Sequence, residues 1–138
     1  MNAPIAITPA GDILANIHQI EWINVGGGSY FKVLRICEKT GQWVLYVRME
    51  PGARFQPHRH EGWGQFFITK GELIYDVGSA PAGTYGFEPI FAVHHEAGCE
   101  VETEMLFMGE GAVTYLTPEG DIDYIMNAQT LKAVAEGS

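Results

Sequence analysis

Met49-Glu50-Pro51-Gly52-Ala53-Arg54-Phe55-Gln56-Pro57-His58-Arg59-His60-Glu61-Gly62-Trp63-Gly64-Gln65-Phe66-Phe67-Ile68-Thr69-Lys70-Gly71-Glu72-Leu73 is the stretch on which the reading turns. His58 and His60 lie two residues apart in a segment that reads as extended. Side chains on a strand alternate between faces, so both imidazoles point one way and Arg59 the other. Two imidazoles side by side on one face form a metal-ligand pair that needs a third partner. His94, in Phe87-Glu88-Pro89-Ile90-Phe91-Ala92-Val93-His94-His95, is the candidate. Its neighbour His95 would face the other way on a strand, and His18 lies outside both segments.

The rest of the chain reads as a scaffold that brings these two segments together. It has 138 residues, 46% of them hydrophobic and 12% aromatic, enough for one domain with a real core. Seventeen glycines and seven prolines punctuate it, which favours short strands and turns over long helices. A net charge of −9 argues against a nucleic-acid partner and against an anionic membrane surface. The N-terminal segment has no Lys or Arg before Lys32 and no long apolar run, so no signal peptide or span is expected. A cytoplasmic protein is the expectation, with Cys37 and Cys99 as reduced, buried thiols.

In chain order, residues 1–18 read as an arm with a short helical turn at Asp12–Ile17. Strands are expected at 20–25, Tyr30–Cys37, Trp43–Met49, around His58 and His60, at Gln65–Thr69 and at Glu72–Val77. Gly78–Gly83 reads as a small-residue loop. Further strands are expected at Thr84–Glu88, Ile90–His94, Thr103–Met108, Ala112–Leu116 and Asp121–Met126. Asn127 reads as the N-cap of a short C-terminal helix, Ala128–Val134. About ten strands in a small chain must hide their edges, and a closed barrel or a double-sheet jelly roll does so. Its interior would hold a small ligand beside His58 and His60. Trp63, Phe55, Tyr75, Phe91 and Phe107 are expected in its core, one or two of them lining the pocket.

The order Gly52-x5-His58-x-His60 and Gly71, then Gly83-x5-Pro89 and His94, is similar to the two cupin motifs, over roughly residues 43–117. The resemblance implies an all-β cupin jelly-roll barrel with a short C-terminal helix, and a single domain over residues 1–138. Three positions depart from the pattern. Gly64 and Gln65 stand where the first motif carries its glutamate. Phe91 stands where the second carries glycine, and Gly98 where it carries asparagine.

Without the motif glutamate, the site resembles the small three-histidine cupins that include acetylacetone dioxygenase and 2,4′-dihydroxyacetophenone dioxygenase. The resemblance implies His58, His60 and His94 as ligands of Fe(II), with zinc, nickel or manganese as alternatives in the isolated protein. Glu88, six residues before His94, matches a glutamate of that group. It is taken as a group behind a histidine, acting as orienter or base, with direct ligation and a structural hydrogen bond as alternatives. Gln65 is a second candidate catalytic residue, able to hydrogen-bond substrate or oxygen, with a solvent-facing side chain as the alternative.

The implied reaction is O2-dependent carbon–carbon cleavage of a small β-diketone or hydroxyacetophenone-type ketone. Three neutral imidazoles leave the full metal charge, which an anionic bidentate enolate would offset. The chain has no GxGxxG fingerprint, so no nicotinamide or flavin is expected. A homodimer or homotetramer is implied. The competing reading is a zinc-binding sensor or regulatory cupin without turnover. A metal-dependent isomerase or sugar-binding cupin is a third, weakened by the missing glutamate.

Overall fold

The computed structural model describes residues 5–137. A hairpin of β1 (Ile5–Ile7) and β2 (Ile13–Ala15) precedes a 3-10 turn at Ile17–Gln19. Next come β3 (Ile23–Gly26), β4 (Ser29–Cys37) and β5 (Gln42–Met49), then β6 (Arg54–Phe55), β7 (His58–His60) and β8 (Gly64–Lys70). The strands β9 (Glu72–Tyr75), β10 (Gly78–Pro81), β11 (Tyr85–Glu88), β12 (Val93–His94) and β13 (Ala97–Gly98) follow. The chain ends with β14 (Thr103–Glu110), β15 (Val113–Leu116), β16 (Ile122–Met126) and helix α1 (Ala128–Ala135).

The strands order as β11-β8-β14-β5-β4-β3 in one sheet and β12-β7-β15-β16 in another. A third sheet, β10-β9-β13-β6, completes the wall, and all pairings are antiparallel. The core follows from period-two alternation. Trp43, Leu45, Val47 and Met49 of β5 point inward, as do Phe66 and Ile68 of β8 and Thr103 and Met105 of β14. The outer face of β4 and β5 is covered too: Lys32 and Arg48 lie over the Trp22 ring at 4.3 and 4.8 Å. That cover explains why Lys32, a charged residue, is only 8% exposed.

The expected C-terminal helix is present. Asn127 caps α1 through a reciprocal pair with Thr130, its side chain accepting from Thr130 N while Asn127 N donates to the Thr130 hydroxyl. No helix among the described residues is long and apolar enough to cross a membrane.

Four readings are corrected. Asp12–Ile17 forms no helical turn: Ile13–Ala15 pairs with Ile5–Ile7, and the helical turn comes later, at Ile17–Gln19. The small residues Gly78–Pro81 form a strand, held by cross-strand pairing with Glu72–Tyr75 despite weak intrinsic propensity. The expected strand at Ile90–His94 shrinks to Val93–His94, because residues 89–92 form a turn. Phe91 is outside the core, 70% exposed. Its φ of +68° makes it the one non-glycine residue of positive φ among those described.

Candidate metal centre

Three strands deliver the site. β7 turns His58 and His60 inward, while Arg59 faces out and pairs with Glu61 at 2.8 Å. His94 on β12 lies directly across from His58, and Tyr115 on β15 lies across from it on the other side. One row therefore runs Tyr115–His58–His94 along the inner face. The turn between Glu88 and His94 is stapled to β7, because Phe91 N donates to His60 O and His60 N donates to Ala92 O, at 2.7 and 2.9 Å. That turn needs a left-handed residue, which is why the cupin pattern favours glycine where this chain has Phe91.

The fourth side chain is Glu88, at the end of β11 and directly across from Gly64 on β8. A Cβ on Gly64 would lie 3.3 Å from His60 Cε1 and 3.5 Å from Glu88 Oε1. Gly64 thus faces the site, and the Glu88 carboxylate fills space that a side chain at 64 would enter. The carboxylate missing from β8 is supplied by the neighbouring strand. The sequence marks Glu88 as a site residue, but not its position opposite Gly64, since the register between β8 and β11 is set by folding.

The donor atoms of His58, His60, Glu88 and His94 all lie within 4.8 Å of one another, and all four residues are buried. Glu88 Oε2 is 3.0 Å from His60 Nε2 and 2.8 Å from His94 Nδ1. His94 Nδ1 is 3.4 Å from His58 Nε2. His58 Nδ1 sits 3.0 Å from the Gln56 carbonyl, which makes it the N–H donor and leaves Nε2 as a lone pair facing the cluster. His60 Nε2 is buried with no hydrogen-bond partner, since the contact with Glu88 is close but misaligned. A buried orphan nitrogen aimed at three other donors is what a metal ion would satisfy.

The surroundings are apolar. Tyr75 meets His94 edge-on at 5.1 Å, Phe107 stacks on His60 at 6.4 Å, and Phe55 and Tyr115 flank His58 at 6.5 and 5.4 Å. Burial pushes His58 down to about 4. Burial alone would raise the Glu88 carboxyl, but its contacts with His60 and His94 outweigh that and hold it at about 2. A neutral imidazole and an ionised carboxylate are the states that bind metal.

Of the residues singled out from sequence, His58, His60, His94 and Glu88 come together. Gln65 does not: it alternates away from Gly64 and Phe66, and its side chain accepts a hydrogen bond from the Tyr85 hydroxyl on the exposed face. His95 is outside, paired with Asp76. Cys37 and Cys99 are both free thiols; Cys99 is fully buried, whereas Cys37, expected to be buried, is partly exposed near the end of β4. Phe55 and Phe107 do line the cavity against His58 and His60. Tyr115 lines it as well and was not anticipated; only its register across from His58 reveals it.

The fold and the inward His/Glu cluster define a cupin. The chain belongs to the family described as the ChrR cupin-like domain, which matches residues 10–114. It is similar to an acetylacetone-cleaving enzyme of Acinetobacter johnsonii, 26% identical over 102 residues that cover 70% of this chain and 67% of that protein. A crystal structure of an acetylacetone dioxygenase from Acinetobacter johnsonii superposes with a TM-score of 0.83 at 20% identity, covering 96% of this chain and 95% of that one. A Methylibium petroleiphilum PM1 structure, provisionally called an acetylacetone dioxygenase, gives 0.82 at 24% identity, covering 88% and 92%. At these identities the two structures speak for the fold alone. The cluster is of the kind that holds a divalent metal in a cupin dioxygenase site.

Proposed function

We propose that the protein is an Fe(II)-dependent dioxygenase that cleaves a carbon–carbon bond of a small β-diketone or hydroxyacetophenone-type ketone. The observation that carries the reading is the convergence of four buried donors, with an orphan nitrogen among them, against an apolar cavity. The relationship to an acetylacetone-cleaving enzyme supports the substrate class.

His58, His60 and His94 are the imidazole ligands in this reading, and Glu88 is the fourth ligand. A carboxylate acting from behind a histidine would meet the outward ring nitrogen. Glu88 instead meets the nitrogens that face the other donors, His60 Nε2 and His94 Nδ1. A divalent ion held there would supply Lewis acidity to an enolisable ketone. The Gln56 carbonyl fixes the His58 tautomer. Phe107, Phe55 and Tyr115 exclude water from the rings they touch. With Glu88 bound, one positive charge remains, which a singly charged enolate neutralises. Both atoms of O2 end in the two fragments, so the ketone supplies the electrons and no external reductant is required.

Anaerobic reconstitution with Fe(II), followed by oxygen uptake with 2,4-pentanedione and hydroxyacetophenones, tests the reading. Stoichiometric iron and substrate-dependent uptake are expected. A second reading rests on the four-donor set itself, which suits a closed tetrahedral zinc site. Tight zinc binding with no oxygen uptake by the iron form would favour that binding module over the enzyme.

A further inference from the structure

The cavity in contact with His58 and His60 is only about 20 Å³. That is close to the space of one water and far below a ketone. A second cavity, of about 370 Å³, shares Phe31, Phe55, Tyr115 and Met126 with it. Its volume falls within the range of small-molecule sites. A third cavity, of about 340 Å³ beside Asp76 and Glu96, shares no lining residue with the inner one. The large chamber is therefore the one whose wall is also the wall of the cavity beside His58 and His60.

Three elements outside the cluster build the rest of that chamber. Leu131 and Val134 on α1 sit three residues apart on one helix face, both lining it. Val25 on β3 and Tyr124 on β16 line it from other sides. Val25 and Tyr124 are 40% and 45% exposed, so the chamber opens to solvent. Apart from Asn24, Arg54 and Gln56 its side chains are apolar or aromatic. Gln56 is already engaged by Leu116 O and Asp123, and Arg54 by Ala53 O and Cys99 O.

We propose that this chamber is the outer half of the ligand site and selects ketones that carry an aryl or branched alkyl group. The apolar group rests against Val25, Tyr124 and Val134. The two carbonyl oxygens reach inward past Phe55 and Tyr115 to the cluster. This rests on the ketone reading above and makes it specific: the favoured substrate is larger than the smallest β-diketone. The walls that set the preference lie on α1 and β3, so they can be altered without touching a donor residue.

The test is equilibrium binding to the Fe(II)-loaded protein kept free of O2, which cannot turn over, measured by anaerobic calorimetry with 2,4-pentanedione and 1-phenyl-1,3-butanedione. Burying a phenyl in place of a methyl is expected to tighten binding at least about tenfold. Val134→Trp and Val25→Trp, on separate elements, each fill the chamber. Each is expected to erase that preference, the loss falling at least about tenfold more on 1-phenyl-1,3-butanedione than on 2,4-pentanedione. If one variant fails to fold, judged by its melting curve, the other decides. Equal affinity of the wild type for the two diketones, or a preference that survives a folded Trp variant, overturns the chamber's role and leaves the enzyme reading intact. If the anaerobic Fe(II)-loaded wild type binds neither diketone, the ketone reading falls and this inference with it.

Discussion

His94 and His95 are neighbours in sequence, and each has an acidic oxygen beside its Nδ1: Glu88 at 2.8 Å and Asp76 at 3.1 Å. The two pairs do different work. The His94 side chain is 7% exposed, with two more imidazoles facing it; the His95 side chain is 75% exposed. Asp76 mainly holds backbone. It accepts from the N–H groups of Glu96 and His95, and those bonds keep its carboxyl well below the usual range. An acid beside a histidine is therefore no sign of a metal site. Burial and convergence of further donors on the same nitrogen make the difference.

The largest effect expected from this contrast is on metal binding. His58→Ala, His60→Ala and His94→Ala should each lose stoichiometric metal, while His95→Ala should keep it, as read by elemental analysis after dialysis. Metal retained in His94→Ala but lost in His95→Ala would invert the comparison.

Next in size is the carboxylate. Glu88→Gln should weaken metal binding by more than about 100-fold, beyond what loss of an outer partner costs. Because Gly64 faces the same space across the β8–β11 pair, Gly64→Glu in a Glu88→Gly background should recover stoichiometric metal. Near-normal affinity in Glu88→Gln, measured by competition with a chelator, would return Glu88 to the role of an orienting group.

The sequence made the histidines legible because alternation and motif spacing are local properties of the chain. His58 and His60 follow from a two-residue step, and His94 from its distance to Pro89. Gly64 and Tyr115 stayed hidden because their meaning lies in cross-strand register, which links residues 24 and 57 positions from their partners Glu88 and His58. Gly78–Pro81 and Ala97–Gly98 were missed as strands for a related reason: pairing with β9 makes them strands, not their own propensity. Of the two readings of Gln65, the structure has the solvent-facing one, since Gly64 takes the inward position. Phe91 was taken for core because it is aromatic, yet it closes a turn by backbone geometry.

A smaller effect concerns acid. The folded-state value of His58, about 4, lies below its ordinary 6.5. As pH falls, the unfolded chain takes up this proton first, so metal-free protein should lose stability between about pH 6.5 and 4, by about 3 kcal/mol at most. Glu88, held at about 2 against an ordinary 4.5, contributes stability above 4.5 that is lost as pH falls through 2. Urea denaturation of metal-free protein across this range would show the two losses in sequence, and His58→Phe should remove the upper one. An upper loss unchanged in that variant would assign it to another group.

The smallest effect is at the turn between Glu88 and His94. Phe91→Gly relieves a left-handed φ worth about 1–2 kcal/mol and adds about 0.5–1 kcal/mol of backbone entropy cost. A net gain of about 0.5 kcal/mol in urea denaturation is expected, with metal binding unchanged. A marked loss of stability would mean that the Phe91 ring packs against something.

The central claim is that one metal sits among His58, His60, His94 and Glu88, and the most direct measurement is anomalous diffraction at the iron edge from anaerobically loaded crystals. The account predicts one strong peak per chain at about 2.0–2.2 Å from a nitrogen of each histidine and an oxygen of Glu88. A peak between Asp76 and His95, or none at the buried cluster in protein that binds iron stoichiometrically, would contradict it.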